Sequence, residues 1–339
     1  MDLDILTISA GNGWMKQEER FSGNIAGKEQ KNYTLLHKGE LSYNHGNSKL
    51  AKYGAVFSLQ NFEEALVPRV YHSFKMLSGS AKFIEYYFAT KLPDRELGKL
   101  ISSGARMDGL LNIKYDDFMG IKLTIPSEME QHKISTFFSK LDNTITLQQR
   151  KLNSLQKLKK GLLQKMFPKK GENIPEIRFP KFSDAWKQRK LEQIIDVGSG
   201  RDYKHLSEGG IPVYGTGGYM LSVNEALSWE EDAIGIGRKG TIDKPYILQA
   251  PFWTVDTLFY AIPKKEQDLD FLYCIFQNID WKKKDESTGV PSLSKTIINK
   301  TYCMTPNYDE QKKIGAFFTQ LDNTITLQQR WLFYTHKQS

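Results

Sequence analysis

Ten identical residues, LDNTITLQQR, occur at 141–150 and again at 321–330. The match extends without a gap to IPSEMEQHKISTFFSKLDNTITLQQR at 125–150 and TPNYDEQKKIGAFFTQLDNTITLQQR at 305–330. Helix propensity alone does not produce identity over this length. The chain therefore contains an internal duplication, with a long and different segment before each copy.

Each copy has the pattern of a long amphipathic helix. Ser127 with Glu130, and Asn307 with Glu310, have the spacing of a capping box at a helix start. Apolar residues then recur in alternating steps of four and three, broken in the first copy only at Gln148 and Lys159, which is the heptad pattern of a coiled coil. In the first copy these residues are Ile134, Phe138, Leu141, Ile145, Leu152, Leu155, Leu162 and Met166. The second copy keeps the pattern as far as Leu332.

Two arrangements of these helices fit the pattern. They can be buried separately in two domain cores, or they can pair with each other antiparallel. Gln148 and Gln328 interrupt the apolar seam at equivalent positions. A polar residue at matching seam positions is typical of paired helices, so the antiparallel pair is favoured.

Length and composition limit the class of protein. A chain of 339 residues exceeds what one core usually supports, so two globular units are expected. With no run of 18 apolar residues and no secretory leader pattern, the sequence predicts a cytoplasmic protein without a membrane span. Cys274 and Cys303 lack metal or redox spacing, which fits a reduced cytosol. The net charge of +8 favours a polyanionic partner, although a membrane surface or solubility explains it equally.

Basic residues are concentrated after the first copy of the repeat. No acidic residue lies between Asn143 and Gly171, and the stretch contains eight lysine and arginine residues. Such a run is usually a solvated helix face. It also suits a phosphate backbone passing along the helix.

The segments before the two copies, at 1–125 and 186–305, have a mixed pattern. FIEYYF at 83–88 resembles FLYCIF at 271–276, and each predicts a short amphipathic helix. Runs of β-branched and aromatic residues bounded by glycine, such as AIGIG at 233–237, predict strands. The sequence therefore predicts an α+β fold.

The loop IGIGRKGTI at 234–242 has the glycine spacing of a dinucleotide fingerprint. A Rossmann turn must open a helix, whereas β-branched residues and Pro245 follow this loop. Its glycines, beside Arg238 and Lys239, instead suit a loop whose backbone approaches an anion. A plain hairpin turn fits the same residues.

Other glycine-containing loops have the composition of nucleic-acid contacts. VYGTGGYM at 213–220 includes Tyr214 and Tyr219, whose rings suit flat contacts with sugars or bases. STGVPSLS at 287–294 and SSGARMDG at 102–109 occupy corresponding positions before the two repeat copies. Both are small and polar, as expected of loops inserted into a DNA groove.

The sequence contains no recognisable catalytic motif. The sequence lacks a Walker A loop, a His-Glu-x-x-His zinc motif and the Asn/Asp-Pro-Pro-Tyr/Phe tetrapeptide of amino-methylating enzymes. PDRELGK at 93–99 lacks the Glu-x-Lys spacing of a nuclease, and the six histidines form no cluster. The sequence predicts neither a catalytic nor a metal site.

Two variable halves, each followed by a near-identical helix, resemble the specificity (S) subunits of type I restriction–modification systems. IPEIRFPKFSDAWKQRKL at 174–191 resembles the start of a target-recognition domain in that family. LQKLKKGLLQKMFPK at 155–169 resembles the end of its central helix. IPVYGTGGYM at 211–220, IGRKGTIDKPYI at 236–247 and HKGELSYN at 37–44 resemble parts of its recognition domains.

The resemblance implies an α+β fold with two globular target-recognition domains separated by long antiparallel coiled-coil helices, related by a pseudo-twofold internal repeat. The bounds are 1–125 for the first recognition domain, 126–168 for the central conserved helix, 169–185 for a linker, 186–305 for the second recognition domain and 306–339 for the distal conserved helix.

The resemblance also implies a function. Each recognition domain would read one half of a bipartite site in double-stranded DNA. The helices would set the distance between the halves and bind two modification (methyltransferase) subunits, which hold S-adenosylmethionine. Restriction (endonuclease) subunits would then join. The chain itself would bind no cofactor and catalyse nothing, in agreement with the lack of catalytic motifs in the sequence.

The site residues expected from the loops and the resemblance fall into two groups. The DNA-binding group is Asn44, His45, Asn47, Lys49, Ser103, Arg106, Tyr214, Thr216, Gly217, Tyr219, Arg238, Lys239, Ser287, Thr288 and Ser292. The partner-binding group is Phe137, Phe138, Leu141, Phe317, Phe318 and Leu321.

Two departures from the family pattern open alternatives. Near Met1 there is no counterpart of RFPKFSDAWKQRKL, and the distal helix ends in WLFYTHKQS, so both ends are expected to be truncated. One alternative is a coiled-coil DNA-binding or scaffold protein derived from such a subunit and unable to form an active complex. Another is a methyltransferase or nuclease with an unrecognised site, which predicts S-adenosylmethionine binding or DNA cleavage by the isolated chain.

Overall fold

The computed structural model describes residues 3–21, 31–101 and 109–338. The chain forms two compact units, Met1–Thr144 and Ile145–Ser339. Each contains sheets and helices, which confirms the predicted α+β class. The division falls inside the long helix of the first repeat copy, because the first turns of that helix pack on the first unit.

The first unit combines short antiparallel strands with short helices. Its strands are β1 (Leu6–Ser9), β2 (Gly13–Lys16), β3 (Thr34–His37), β4 (Leu41–Asn44), β5 (Ala55–Ser58), β6 (Glu64–Val67) and β7 (His72–Phe74). Its short helices are α1 (Gln17–Phe21), α2 (Ala81–Ala89), α3 (Asp94–Lys99) and α4 (Tyr115–Met119). One sheet has the order β5-β4-β7, while β1 pairs with β2 and β3 with β6.

The larger core of this unit lies between β4 and the helices. The fully buried Tyr43 ring on β4 stacks on Phe118 of α4, with ring centroids 4.3 Å apart. Phe83 and Phe88 of α2 belong to the same buried cluster, and Ile134 of the repeat packs against it. The helix that begins the repeat therefore covers this core.

The second unit is built on a larger antiparallel sheet. The long helix α5 (Glu128–Lys165) leads into its strands β8 (Lys187–Lys190), β9 (Ile195–Ser199), β10 (Glu208–Gly215), β11 (Gly218–Val223), β12 (Ala233–Gly237), β13 (Tyr246–Leu248), β14 (Trp253–Thr254), β15 (Leu258–Pro263) and β16 (Tyr302–Thr305). The remaining helices are α6 (Leu269–Asn278), α7 (Lys295–Lys300) and α8 (Tyr308–Gln338), with 3-10 turns at Leu191–Gln193 and Trp281–Lys284. The strand orders are β13-β12-β15-β9, β11-β10-β14 and β16-β8.

The core of the second unit lies between the β12–β15 sheet, α6 and α8. Phe271, Phe276 and Trp281 are almost fully buried within it. Phe167, just past the end of α5, stacks against Phe271 with ring centroids 5.6 Å apart. Burial of large aromatic side chains of this kind contributes strongly to the folding of such a unit.

Within the second unit, the latter part of α5 packs antiparallel on α8. Leu152 of α5 is buried in one cluster with Ile325 and Leu332 of α8. The side-chain amide of Gln328 donates to the Gln148 side-chain oxygen at 2.7 Å. As the α5 residue number rises from Gln148 to Lys159, the α8 partner falls from Gln328 to Asp322, which Lys159 contacts at 2.7 Å. The predicted antiparallel pairing is confirmed over this part.

The two repeat copies make the same contact with their own units. In the first copy the Gln131 side chain accepts a hydrogen bond from the backbone N–H of Ser80, the N-cap of α2, at 3.2 Å. In the second copy Gln311 accepts from the backbone N–H of Asp268, the N-cap of α6, also at 3.2 Å. The duplication in the sequence is therefore a duplication of packing.

The predicted capping boxes are formed only in part. The Asn307 side chain caps the backbone N–H of Glu310 at 2.9 Å. The Glu310 carboxylate does not return to the start of α8, because it pairs with Arg178 at 2.6 Å. In the first copy, no side-chain hydrogen bond joins Ser127 and Glu130 in the described part of the chain.

The described residues contain neither a candidate membrane span nor a candidate metal site. No helix in residues 3–21, 31–101 and 109–338 combines the length and apolarity that a membrane span requires. Across the same residues, no group of three or more histidine, cysteine or acidic side chains is placed to hold a metal ion.

Candidate nucleic-acid interface

The glycine-rich loop after β12 is shaped by its glycines. A Cβ atom on Gly237 would lie 2.1 Å from the backbone oxygen of Thr241, so only glycine fits there. Gly240 has φ of +86°, a conformation that L side chains rarely adopt. No helix follows the loop, so it is not a Rossmann dinucleotide-binding turn, as the sequence predicted.

This loop is joined by backbone hydrogen bonds to the segment that follows the 287–290 loop. The Leu293 N–H donates to the Arg238 oxygen at 2.9 Å, and the Gly240 N–H donates to the Pro291 oxygen at 2.9 Å. Lys239 and Ser292 form an antiparallel bridge. Two loops predicted separately from the sequence are therefore one structural feature.

Asp285 fixes the base of that second loop. Its carboxylate accepts hydrogen bonds from the backbone N–H groups of Ser287 and Ser292, each at 2.9 Å. These bonds hold the pKa of Asp285 below its ordinary value. Thr288, between the two anchored serines, is exposed.

The hairpin of β10 and β11 and the glycine-rich loop after β12 both contact one short segment, residues 254–257. The Val255 N–H donates to the Tyr214 oxygen at 2.9 Å, while the Arg238 N–H donates to the Thr257 oxygen at 2.8 Å. Tyr214 and Tyr219 have ring centroids 6.4 Å apart, and Tyr219 is 63% exposed. The structure thus gathers the hairpin and the basic loop on two sides of one segment.

The exposed chemistry of this region is basic and aromatic. Arg238 and Lys239 are exposed, and the Arg238 guanidinium lies 5.8 Å from the centroid of the Phe259 ring. Thr216 and Gly217 form the turn of the hairpin. Cations and flat rings on one surface are the groups that contact phosphates and bases.

Arg201 belongs to the same region and was missed by sequence reasoning. Its backbone N–H donates to the Thr254 oxygen at 2.9 Å, and its backbone oxygen accepts from the Trp253 indole at 3.0 Å. The side chain is exposed. The Gly200-Arg201 pair immediately after β9 was the available signal, because it repeats the glycine–arginine pair at the end of β12.

The first unit contains the same backbone arrangement at different residues. After β4, the Leu111 N–H donates to the His45 oxygen at 2.8 Å, and the Asn47 N–H donates to the Gly109 oxygen at 2.9 Å. In this hydrogen-bond pattern, His45 therefore occupies the position that Arg238 occupies in the second unit. Asn47 and Lys49 are exposed on this loop.

His45 was predicted to bind DNA, and its burial argues against a direct contact. Only 6% of the residue is exposed, and its ring nitrogens lie 2.7 Å and 3.0 Å from the backbone oxygens of Leu111 and Val70. His45 also stacks on His72, at 4.8 Å between ring centroids, and burial lowers the pKa of His72. We assign His45 to the support of the loop.

Asn44 is also turned inward. Its side chain accepts from the Gly46 N–H at 3.0 Å and donates to the Ile8 oxygen at 3.3 Å, so it shapes the loop. Ser103 and Arg106, the other predicted DNA contacts of this unit, lie outside the described residues.

The predicted partner-binding residues differ in exposure between the two copies. Phe137 and Phe138 are 64% and 41% exposed, whereas Phe318 is 1% exposed. Phe318 is part of the second-unit core and presents no free surface to a partner. Its burial conflicts with the predicted partner contact, because a repeated sequence does not guarantee repeated surroundings. Leu321 is half-buried in the α5–α8 seam. Leu141 and Phe317 are half-buried.

Some side chains of the basic run between 143 and 171 are engaged in ion pairs within the protein. Lys159 pairs with Asp322 at 2.7 Å, and Lys165 and Lys169 both contact Glu176, at 2.8 Å and 3.3 Å. Lys151 is exposed. Three of the eight basic residues therefore make ion pairs within the second unit.

With its duplicated helix and paired loops, the chain belongs to the type I restriction–modification DNA specificity domain family, whose profile matches residues 3–157 and 183–332. It is similar to the type I restriction enzyme MjaVIII specificity subunit of Methanocaldococcus jannaschii, with 21% identity over 284 residues. The match covers 72% of this chain and 64% of that subunit, so the chain spans less than two thirds of the relative's length.

Solved structures show the same fold. The type I restriction–modification S subunit from M. genitalium matches with a TM-score of 0.56 and 19% identity, covering 88% of this chain and 80% of that one. A chain from a structural study of complex assembly and conformational transition in a type I R-M system matches with a TM-score of 0.53 and 12% identity. That match covers 90% of this chain and 79% of the other.

Proposed function

We propose that this chain is the DNA-recognition subunit of a type I restriction–modification complex, and that each unit reads one half of a bipartite site in double-stranded DNA. The observation that carries the proposal is the shared loop arrangement. The backbone oxygens of His45 and Arg238 accept equivalent hydrogen bonds from Leu111 and Leu293. Two units built to hold the same kind of loop are expected to perform the same task on two half-sites.

The second unit offers the clearest contact chemistry. Arg238 and Lys239 supply charge for phosphates or, through Arg238, a bidentate donor for guanine. The backbone N–H groups of Arg238 and Gly240 already donate to Thr257 and Pro291, so the proposed contacts of this loop are made by its side chains. Tyr219 supplies an exposed ring for contact with sugars or bases. A good bidentate contact with a base contributes about 1–3 kcal/mol of discrimination.

We propose two modification subunits as partners, which would hold S-adenosylmethionine, and restriction subunits that join them. Support comes from the repeated helix. Leu147 on α5 and Leu327 on α8 are equivalent residues, and they are 62% and 65% exposed. Equal apolar exposure at equivalent positions suits two copies of one partner. In this proposal the chain binds no cofactor and leaves the chemistry to its partners.

The test is binding of the full chain to random duplex DNA at several salt concentrations, measured by fluorescence anisotropy. Replacing both Arg238 and Lys239 by alanine should shallow the slope of log affinity against log salt by up to about 2, since each phosphate contact contributes about 0.9. The matched control replaces Lys312 and Lys313, two exposed lysines on α8, by alanine.

The control variant should keep the parental slope. If the Arg238/Lys239 variant keeps the same slope and affinity, the loop is a plain turn and the proposed interface is wrong. If the parental chain does not bind duplex DNA even at low salt, a coiled-coil scaffold without DNA affinity replaces the proposal.

A further inference from the structure

Two glycine–arginine pairs lie at one edge of the main sheet of the second unit. Gly200-Arg201 follows β9, and Gly237-Arg238 spans the end of β12. β15 lies between these two strands and runs antiparallel to both. The Gly200 N–H donates to the Leu258 oxygen at 2.9 Å, and Gly237 lies opposite the same residue on the other side of β15. The two arginines therefore leave the sheet at the same edge, one on each side of β15.

Both glycines stand where the backbone is crowded. A Cβ atom on Gly200 would lie 1.9 Å from the backbone oxygen of Val255, and one on Gly237 would lie 2.1 Å from that of Thr241. A larger residue would push the chain away at either point. The place of each following arginine is therefore set by close backbone packing.

The main chain of each arginine is held by residues far away in the sequence. Arg201 donates its N–H to the Thr254 oxygen at 2.9 Å, and its own oxygen accepts from the indole of the buried Trp253 at 3.0 Å. Arg238 donates its N–H to the Thr257 oxygen at 2.8 Å. Both arginines are thus fixed against the segment 254–257.

The two side chains, in contrast, have no strong partner. Both are exposed, and the Arg201 guanidinium has no ion pair or hydrogen bond within residues 3–21, 31–101 and 109–338. The Arg238 guanidinium lies 5.8 Å from the centroid of the Phe259 ring and reaches the Asp256 backbone oxygen at 3.4 Å, a long hydrogen bond. A fixed main chain with an uncommitted side chain suits a ligand contact, because less freedom is lost on binding.

An acidic side chain lies between the two arginines. Asp256 is exposed on the segment 254–257, and its carboxylate forms no ion pair in the part of the chain that the structure describes. A carboxylate repels a phosphate placed against this segment, whereas it can accept from the N4 amino group of cytosine. The order of donor, acceptor and donor along this edge therefore fits base edges better than a sugar–phosphate backbone.

We propose that Arg201 reads a DNA base together with Arg238. Each donates to a guanine in the major groove, and Asp256 between them accepts from a cytosine. This inference rests on the proposed function of the second unit and names the bases of its half-site. A forked contact from arginine to guanine O6 and N7 is the commonest specific contact in the major groove.

The strand spacing sets the distance between the two guanines. Arg201 and Arg238 are two strand spacings apart, or about 10 Å at about 4.8 Å per spacing. Successive bases of a duplex rise by about 3.4 Å. The half-site should therefore contain two guanines, on either strand, about three base-pair steps apart, with a G·C pair between them.

The experiment selects duplexes from a random library with the full chain and sequences those that bind. The parental chain should enrich the three G·C pairs. Arg201→Ala should reduce the preference for one guanine by about tenfold and keep the guanine read by Arg238, while Asp256→Ala should relax the pair between them. The matched control, Arg189→Ala, removes an exposed arginine from β8, which belongs to a different sheet, and should leave every position unchanged.

A phosphate contact at Arg201 would give a different result. Arg201→Ala would then weaken binding equally on all sequences and lower the salt slope by about 1 without relaxing any position, which would overturn the proposal. Unchanged selection by Arg201→Ala would overturn it as well, as would a parental half-site without guanine at these positions. The proposed function survives each of these outcomes if Arg238→Ala with Lys239→Ala still shallows the salt slope. Failure of the parental chain to bind duplex DNA counts instead against the proposed function itself.

Discussion

At the residue scale, the ion pair of Arg178 with Glu310 shows how one interaction joins distant parts of the sequence. The two residues are 132 positions apart, and Glu310 is fully buried. A buried pair gives little net stability compared with apolar residues of the same volume, because both charges lose their hydration. Loss of one partner is costly, because the other charge remains buried and unpaired.

We predict that Arg178→Met destabilises the second unit by about 3–5 kcal/mol, because it leaves Glu310 buried without a partner. Adding Glu310→Gln to that variant should recover part of the loss. Urea unfolding of the three proteins measures both effects. The control Lys165→Met removes an exposed contact with Glu176 and should leave the unfolding midpoint unchanged. Equal stability of Arg178→Met and the parental chain would show that the pair is not structurally important.

At this scale the sequence left the surroundings of single residues open. The pattern around Arg238 fits an anion-binding loop and a plain hairpin turn equally, and the structure places that side chain on the surface. His45 lies in the same kind of loop, yet its ring faces two backbone oxygens inside the first unit. Burial of a single polar residue depends on contacts 25 to 66 positions away, which no local pattern contains.

At the element scale, the two long helices were the most predictable part of the molecule. The heptad pattern and Pro168 placed α5 close to its observed bounds, Glu128–Lys165. A short strand such as β14 was harder to predict, since its pairing partner β10 lies far away in the chain. Long periodic patterns average over local exceptions, whereas a strand of two to four residues has no period to measure.

The helices also contain an exchange of side-chain size between the copies. Ser135 on α5 contacts Ser80 through their hydroxyl groups at 3.0 Å. Its counterpart on α8 is Gly315, where a Cβ atom would lie 2.2 Å from the Asp268 carboxylate. The copy with the larger N-cap residue on its short helix, Asp268, therefore has the smaller residue on its long helix, Gly315. Burial raises the pKa of Asp268, in keeping with this close packing.

We predict that Gly161→Ala and Gly315→Ala have opposite effects on the stability of the second unit. At Gly161 no other atom lies within 4 Å of an added Cβ, so alanine should stabilise α5 by about 1 kcal/mol. At Gly315 the added Cβ meets Asp268 and should destabilise the unit. Thermal or urea unfolding of both variants tests the sign. Stabilisation by Gly315→Ala would mean that Asp268 moves away freely.

At the scale of the whole molecule, the proposed function divides recognition between the two units. Each unit has its own loop pair, held by equivalent backbone hydrogen bonds. Their side chains differ, since Asn47 and Lys49 lie on the loop of one unit and Arg238 and Lys239 on that of the other. Different side chains on the same kind of loop are expected to read different bases.

We predict that changes in one loop alter only one half of the recognised DNA site. Asn47→Ala with Lys49→Ala should relax one half, and Arg238→Ala with Lys239→Ala should relax the other. Sequencing of methylated bases in cells that contain the modification subunit gives both halves directly. Lys312→Ala with Lys313→Ala serves as the control and should leave both halves intact. Relaxation of both halves by either loop variant would show that the units do not read separately.

The contact between Gln148 and Gln328 bears on the evolutionary origin of the duplicated chain. The two residues are 180 positions apart and occupy the same place in the repeat, so each glutamine meets its own duplicate. A residue that touches its duplicate lies on a local twofold axis, as in a symmetric dimer of identical chains. An ancestor half as long could thus have formed this helix pair from two separate molecules. In such a dimer every mutation appears twice, whereas gene fusion lets each glutamine change alone. The fused chain can therefore acquire an unequal pair at this position, which an ancestral homodimer could not.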